Sequence, residues 1–189
     1  MILFFDTETT GLPKRRNAPL TDLDNWPRLV EIGWIVLDND LTEVCASEFI
    51  IKPNGFTVPV EASNVHGITQ ARAMSEGVDL GPVLDEFYDA VSRSSSIIAH
   101  NMDFDEKVIG SEFLRAKKDN LIQHKAKLCT MKSSTDYCAL PGRYGNKWPT
   151  LGELHRKLFG SPMGKAHNAL VDVRAGVKCY RELVNIGVM

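Results

Sequence analysis

The chain has 189 residues, 43% of them hydrophobic, so one domain spanning residues 1–189 and burying its own core is expected. A formal net charge of −2 excludes the broad cationic grip with which proteins track duplex DNA, though not a hold on one strand end through local contacts. No window approaches the roughly 18 consecutive apolar residues of a membrane span, MILFFD has no basic lead, and Cys45, Cys129, Cys138 and Cys179 form no CxxC pair, so a soluble protein of the reducing cytoplasm is expected.

Met1–Phe5 is an apolar run entering an acidic cluster, the pattern of a strand buried on both faces that opens on a polar site. Leu29–Leu37 and Glu43–Ile51 predict two more strands, and the Asp38-Asn39-Asp40 turn predicts that they pair as an antiparallel hairpin. Val83, Leu84, Phe87, Tyr88 and Val91 recur at helical spacing, and Ser94-Ser95-Ser96 ends that helix before a short strand, Ile97–Ala99. A helix from about Asp103 to Ala116 follows, with Phe104, Val108 and Phe113 inward. Lys127–Cys129 is a candidate last strand, and Asp136–Pro149, with two prolines, two glycines, Arg143, Lys147 and Trp148, reads as a loop. Thr150-Leu151-Gly152-Glu153 matches a capping box, predicting a helix to Phe159 that stops at Gly160. A final helix starting near Asn168 would bury Leu170, Val173, Val177, Tyr180 and Val184.

Asp6 and Glu8 lie two apart in FFDTETTGL, so a strand continuing through them sends both side chains from one face. Two carboxylates held together repel unless a cation joins them. The glycine turn that follows, with Leu12 exposed, can bring backbone and an apolar wedge against a terminal base. Further along, His100-Asn101-Met102-Asp103-Phe104-Asp105 comes directly after a short apolar strand; spacing alone does not choose between Asp103 and Asp105. In His167-Asn168-Ala169-Leu170-Val171-Asp172, an Asn168 cap would fix Asp172 on the second turn and leave His167 on the approach to the helix.

These three segments together resemble the motifs of the DnaQ-like (DEDDh) 3′→5′ exonuclease family, which includes the proofreading epsilon subunit of bacterial DNA polymerase III. FDTETTGL matches the first motif, the second has the form HNxxFD and the third HxxxxD, so the resemblance spans residues 6 to 172. It implies a ribonuclease H-like α/β fold, a mixed sheet of about five strands flanked by helices. It selects Asp105 as the third carboxylate and implies that Asp6, Glu8, Asp105 and Asp172 bind two divalent cations. Asp6, Glu8 and Asp172 would hold the ion on the nucleophile side; Asp6 would bridge to the second, which Asp105 supports largely through water.

Two hard cations roughly 3.5–4 Å apart meet both difficulties of phosphodiester hydrolysis, activating a water and stabilising the leaving oxygen. Oxygen ligands with no cysteine favour Mg²⁺, with Mn²⁺ as a substitute. An unperturbed imidazole accepts a proton near neutral pH, which makes His167 the expected general base. Thr9, Leu12, Asn101 and Phe104 resemble family positions near the terminal nucleotides, and core packing is the competing reading for Phe104. Val65-His66-Gly67-Ile68-Thr69 matches another family element, with His66 a candidate to face the last nucleotide or an ordinary loop histidine. Lys14-Arg15-Arg16 could meet phosphates or be a solvated basic loop, and Lys14–Arg28 is longer than a minimal connection needs.

The expected activity is release of nucleoside 5′-monophosphates from the 3′ end of a single strand, with DNA favoured. An RNase T-like exoribonuclease and an inactive nucleic-acid-binding module of the same fold are the alternatives. The chain ends directly after the last helix with nothing resembling a polymerase-binding tail, so a free-standing enzyme is expected over stable polymerase association.

Overall fold

In the computed structural model, which describes residues 1–164 and 167–189, the first apolar run becomes strand β1, Ile2–Thr9. It is the centre of a five-stranded sheet of order β3-β2-β1-β4-β5. Strands β2 (Leu29–Leu37) and β3 (Glu43–Ile50) pair antiparallel, as do β1 and β2. Strands β4 (Ser96–Ala99) and β5 (Ala126–Cys129) continue the sheet in parallel. This is the mixed sheet flanked by helices that the motifs implied. The β2–β3 connection is longer than a two-residue turn: the Asp38 amide pairs with the Thr42 carbonyl and Leu41 takes φ 60°.

Strand parity divides the core. Leu3 and Phe5 face a large apolar layer completed by α3 (Leu80–Ser92) and α4 (Met102–Arg115), where Phe87 stacks at 5.3 Å from Phe5. Phe4 faces the other layer, with Ile35, Ile98 and the Val173, Val177 and Tyr180 stripe of α8 (Ala169–Asn185). Each fully buried side chain of this kind contributes roughly 1.5–3 kcal/mol, so both helical layers are held by packing before any polar contact is counted. The helix α8 places Leu183 in the core and leaves Val184 at 37% exposure, correcting the expected stripe by one residue at its end.

Residues between β3 and α3 form two short helices that periodicity did not announce, α1 (Val60–His66) and α2 (Gln70–Glu76). At seven residues each they show too few turns for a helical repeat; the visible signals are Gly67 in the left-handed conformation and Thr69 accepting from the Arg72 amide as a cap. After β5 come α5 (Thr130–Ser133) and α6 (Thr135–Cys138). The expected loop 136–149 therefore opens in a helical turn, and it also carries a small hairpin, β6 (Pro141–Gly142) and β7 (Gly145–Asn146). Helix α7 spans Leu151–Phe159, with both bonds of the Thr150–Glu153 capping box formed and Gly160 at φ 68° ending it.

The long connection 10–28 is built onto α4. Arg115 donates to the carbonyls of Leu23 and Trp26, and the fully buried Glu112 accepts from the Arg28 guanidinium and the Leu29 amide. Lys14, Arg15 and Arg16 remain exposed, with Arg15 paired to Asp22. Among the described residues, no helix is long and apolar enough to cross a membrane.

Candidate metal centre and nucleic-acid interface

The strand β1 outruns its parallel neighbour. It pairs with β4 only from Ile2 to Phe4, so Asp6 to Thr9 project beyond the carboxyl end of β4, where ligands of such sheets collect. Parity sends Asp6 and Glu8 toward the α8 layer with Phe4, and Thr7 toward the α4 layer with Phe5. The Thr7 hydroxyl then donates to Asp105 Oδ1 at 2.7 Å, fixing an acid that is 3% exposed in the first turn of α4. Asp103 points away, ion-paired with Lys132 at 2.5 Å and about two-thirds exposed. The geometry thus separates the two aspartates that spacing alone could not.

From the other side, α8 delivers Asp172. Asn168 caps the helix by accepting from the Val171 amide, and Asp172 Oδ2 accepts from the His167 backbone amide at 3.0 Å. His167 takes the left-handed conformation there, at φ 69°. Ligand atoms of Glu8, His167 and Asp172 lie within 4.8 Å of one another. His167 itself is exposed, open to a substrate or a water.

The electrostatics are those of crowded, desolvated carboxyls that raise one another's pKa. Burial holds the Asp6 carboxyl well above its ordinary range, with Asp105, Glu8 and Asp172 adding to the effect in that order. Burial, then Asp172, pushes Glu8 up to about 8. Burial also raises Asp105 to about 7 against the stabilising Thr7 hydroxyl, and raises Asp172 against the His167 amide. Like charges gathered in a desolvated site favour the proton-bound form unless a cation replaces the protons. Among the described residues, Asp172 Oδ1 is buried with no hydrogen-bond partner, an acceptor position that a metal ion would satisfy. Four oxygen-donor acids, one with an orphaned lone pair, fit hard divalent cations.

Sequence reasoning passed over Glu31. It sits directly across from Glu8 in the β1–β2 ladder, is 1% exposed, and its Oε2 accepts from the Ala169 amide at 2.8 Å. Its Oε1 is 3.3 Å from the Asn168 side-chain amide, which also bonds Glu48. Burial raises Glu31 above its usual range while the Ala169 amide opposes the shift. Thus Glu31 ties the start of α8 to the sheet. An acid inside the otherwise apolar run LVEIGWIVL was the signal available.

The remaining candidates lie on segments that adjoin the acids in the chain or, in the case of His66, near Thr9 and His167. The Thr9 hydroxyl donates to the Gly11 carbonyl at 2.7 Å, and Gly11 takes φ 143°, throwing Leu12 out to 81% exposure. Asn101, at φ 98°, precedes α4 without its side chain capping the helix. Phe104 packs partly against the main core and keeps an open edge. His66 closes α1 rather than lying in a loop; Nδ1 accepts from the Ile68 amide, and Nε2 is buried. Burial lowers its pKa, the Thr9 carbonyl opposes that shift, and nearby His167 adds to it. A cavity of about 480 Å³ opens beside Asp172 and His167, walled by Thr150–Glu153, Arg156 and the stretch 162–164, none of which the motifs had singled out.

The model of a family described as exonuclease matches residues 3–180. Among solved structures, Escherichia coli exonuclease I in complex with a dT13 oligonucleotide is 22% identical with a TM-score of 0.77, over 97% of this chain and 40% of that one. The same enzyme with a dA16 oligonucleotide gives 19% and 0.75 over the same shares. A moderately thermophilic exonuclease I from Methylocaldum szegediense gives 21% and 0.72, again over 97% and 40%. The chain therefore spans about two-fifths of the length of these neighbours. No curated protein matches it.

Proposed function

The chain belongs to the exonuclease family, and from that premise we propose that it hydrolyses single-stranded DNA from the 3′ end, releasing nucleoside 5′-monophosphates. The convergence of Glu8, His167 and Asp172 within 4.8 Å, beside Asp6 and Asp105, carries the reading. Direction and product rest on the likeness of the three motifs to DEDDh enzymes. The oligonucleotide complexes of exonuclease I support a single DNA strand as substrate.

In this reading Asp6, Glu8, Asp105 and Asp172 hold two Mg²⁺ ions, with Mn²⁺ able to replace them. Bound there, divalent cations supply Lewis acidity that acidifies the attacking water and stabilises the leaving 3′ oxygen. His167 takes the proton of that water as its oxygen bonds to phosphorus, and the bond from phosphorus to the 3′ oxygen breaks. Thr7 holds the Asp105 carboxylate in register, and Glu31 holds the helix start from which Asp172 projects. Leu12 wedges against the terminal base, Phe104 offers its open edge to the next, and Thr9, Asn101 and His66 line the terminal nucleotide.

Digestion of matched 3′-labelled and 5′-labelled single-stranded DNA and RNA in Mg²⁺ tests this. The 3′ label should leave first as mononucleotide, DNA should be cut faster than RNA, and Asp6→Ala should be inert. His167→Ala should lose on the order of 10²-fold in turnover, the usual size of general-base catalysis. Internal cuts, or activity indifferent to Asp6, would contradict the proposal.

A further inference from the structure

The β6–β7 hairpin carries two large rings that the core does not use. Tyr144, at its tip, is 89% exposed and Trp148, just after it, 55%. The hairpin is nevertheless braced: the Lys147 amide pairs with the Leu140 carbonyl, Asn146 with Asp136, and the Lys147 ammonium with Glu153. Cations flank both rings, with the Arg143 guanidinium 5.1 Å from the Tyr144 centroid and the Lys132 ammonium 5.9 Å from that of Trp148.

This patch is continuous with the cleft. The Pro149 carbonyl is bonded to His100 at the end of β4, and Thr150–Glu153 wall the cavity beside His167 and Asp172. Lys132 pairs with Asp103, in the same helical turn as Asp105. Charge alone offers little here, because Lys132 and Lys147 are already matched by Asp103 and Glu153. The unspent binding capacity is in the ring faces, which suits bases better than an acidic peptide.

We propose that Tyr144 and Trp148, with Arg143 beside them, form a stacking platform for single-stranded DNA several nucleotides upstream of the terminal one. This deepens the reading of the cleft as a 3′-end site and rests on it. The platform would let the protein prefer long strands over short ones and track a strand as its end is consumed.

Fluorescence anisotropy of 5′-labelled dT20 and dT3 in EDTA reads the platform without turnover. Replacing both rings, Tyr144→Ala with Trp148→Ala, should weaken dT20 binding roughly tenfold to several hundredfold and change dT3 less than about twofold, while Tyr144→Phe with Trp148→Phe should keep most of the affinity. The proposal is overturned if the alanine pair binds dT20 like wild type, if dT3 and dT20 weaken equally, or if polyglutamate displaces dT20 as well as unlabelled dT20 does. Turnover is scored separately. A wild-type protein that binds dT20 through these rings yet cuts no strand contradicts the nuclease reading and leaves the platform standing.

Discussion

At the scale of single residues, a buried acid can matter through the backbone it holds. Glu31 holds the Ala169 amide and the Asn168 side chain, and through them the backbone from which His167 and Asp172 depart. Groups that orient metal ligands in this way typically cost 10- to 100-fold in metal affinity or activity when replaced, roughly speaking. Glu31→Gln, which keeps the volume but leaves one acceptor oxygen for the two donors of Ala169 and Asn168, should therefore raise the Mg²⁺ concentration for half-maximal activity by about 10-fold or more. A metal titration of the activity checks this, and an unchanged midpoint would make Glu31 merely a packed acid. Asp6, Glu8, Asp105, His167 and Asp172, which the structure gathers beside one cleft, could be singled out in the sequence through the resemblance of three motifs, because spacing alone left Asp103 and Asp105 undecided. Glu31 and Thr7 could not, because their partners lie 138 and 98 residues away and no local spacing encodes such a contact.

At the scale of elements, the site depends on how closely α8 lies on β2. A Cβ at Gly33 would fall 2.6 Å from the Leu170 amide nitrogen and 2.8 Å from the Ala169 carbonyl carbon, both backbone atoms that cannot swing aside. Gly33→Ala should destabilise the fold by roughly 1–3 kcal/mol and, by displacing Asp172, lower activity beyond what the stability loss explains. Gly81→Ala is the control, since a Cβ there meets nothing within 4 Å. Chemical denaturation and initial rates distinguish the two; equal effects at both glycines would contradict the close approach. Strands β1 to β5 and helices α3, α4, α7 and α8 could be read from apolar runs, periodicity and caps, whereas the hairpin of β6 and β7 lies in what read as a loop. The seven-residue helices α1 and α2 could not be read this way, being held by tertiary packing of Ala62, Ile68 and Ala73 rather than by their own repeat.

At the scale of the whole molecule, His100 joins three segments far apart in the chain. One ring nitrogen is 3.0 Å from the Thr130 hydroxyl and the other 3.0 Å from the Pro149 carbonyl, an arrangement of donor and acceptor that suits the neutral imidazole. Burial lowers its pKa to about 4, with the Pro149 carbonyl opposing the shift. The folded protein thus refuses a proton that the unfolded chain accepts below the ordinary value of 6.5, so this stabilisation is complete above pH 6.5 and is lost as pH falls toward 4. Relative to His100→Gln, whose carboxylates titrate alike, the wild type should lose roughly 2–3 kcal/mol of its advantage between pH 7 and 4.5. Urea unfolding at both values measures it, and a difference independent of pH would refute the neutral, buried assignment.

The proposed function requires the cluster of Asp6, Glu8, Asp105 and Asp172 to collect cations. Titration of Mn²⁺ into the protein, followed by the loss of the free-ion electron paramagnetic resonance signal with a nucleoside 5′-monophosphate present, counts the ions directly. The account predicts two per chain for the wild type, and loss of tight binding in Asp6→Asn. Wild-type protein that takes up no Mn²⁺, or binds it equally well without the Asp6 carboxylate, would contradict it.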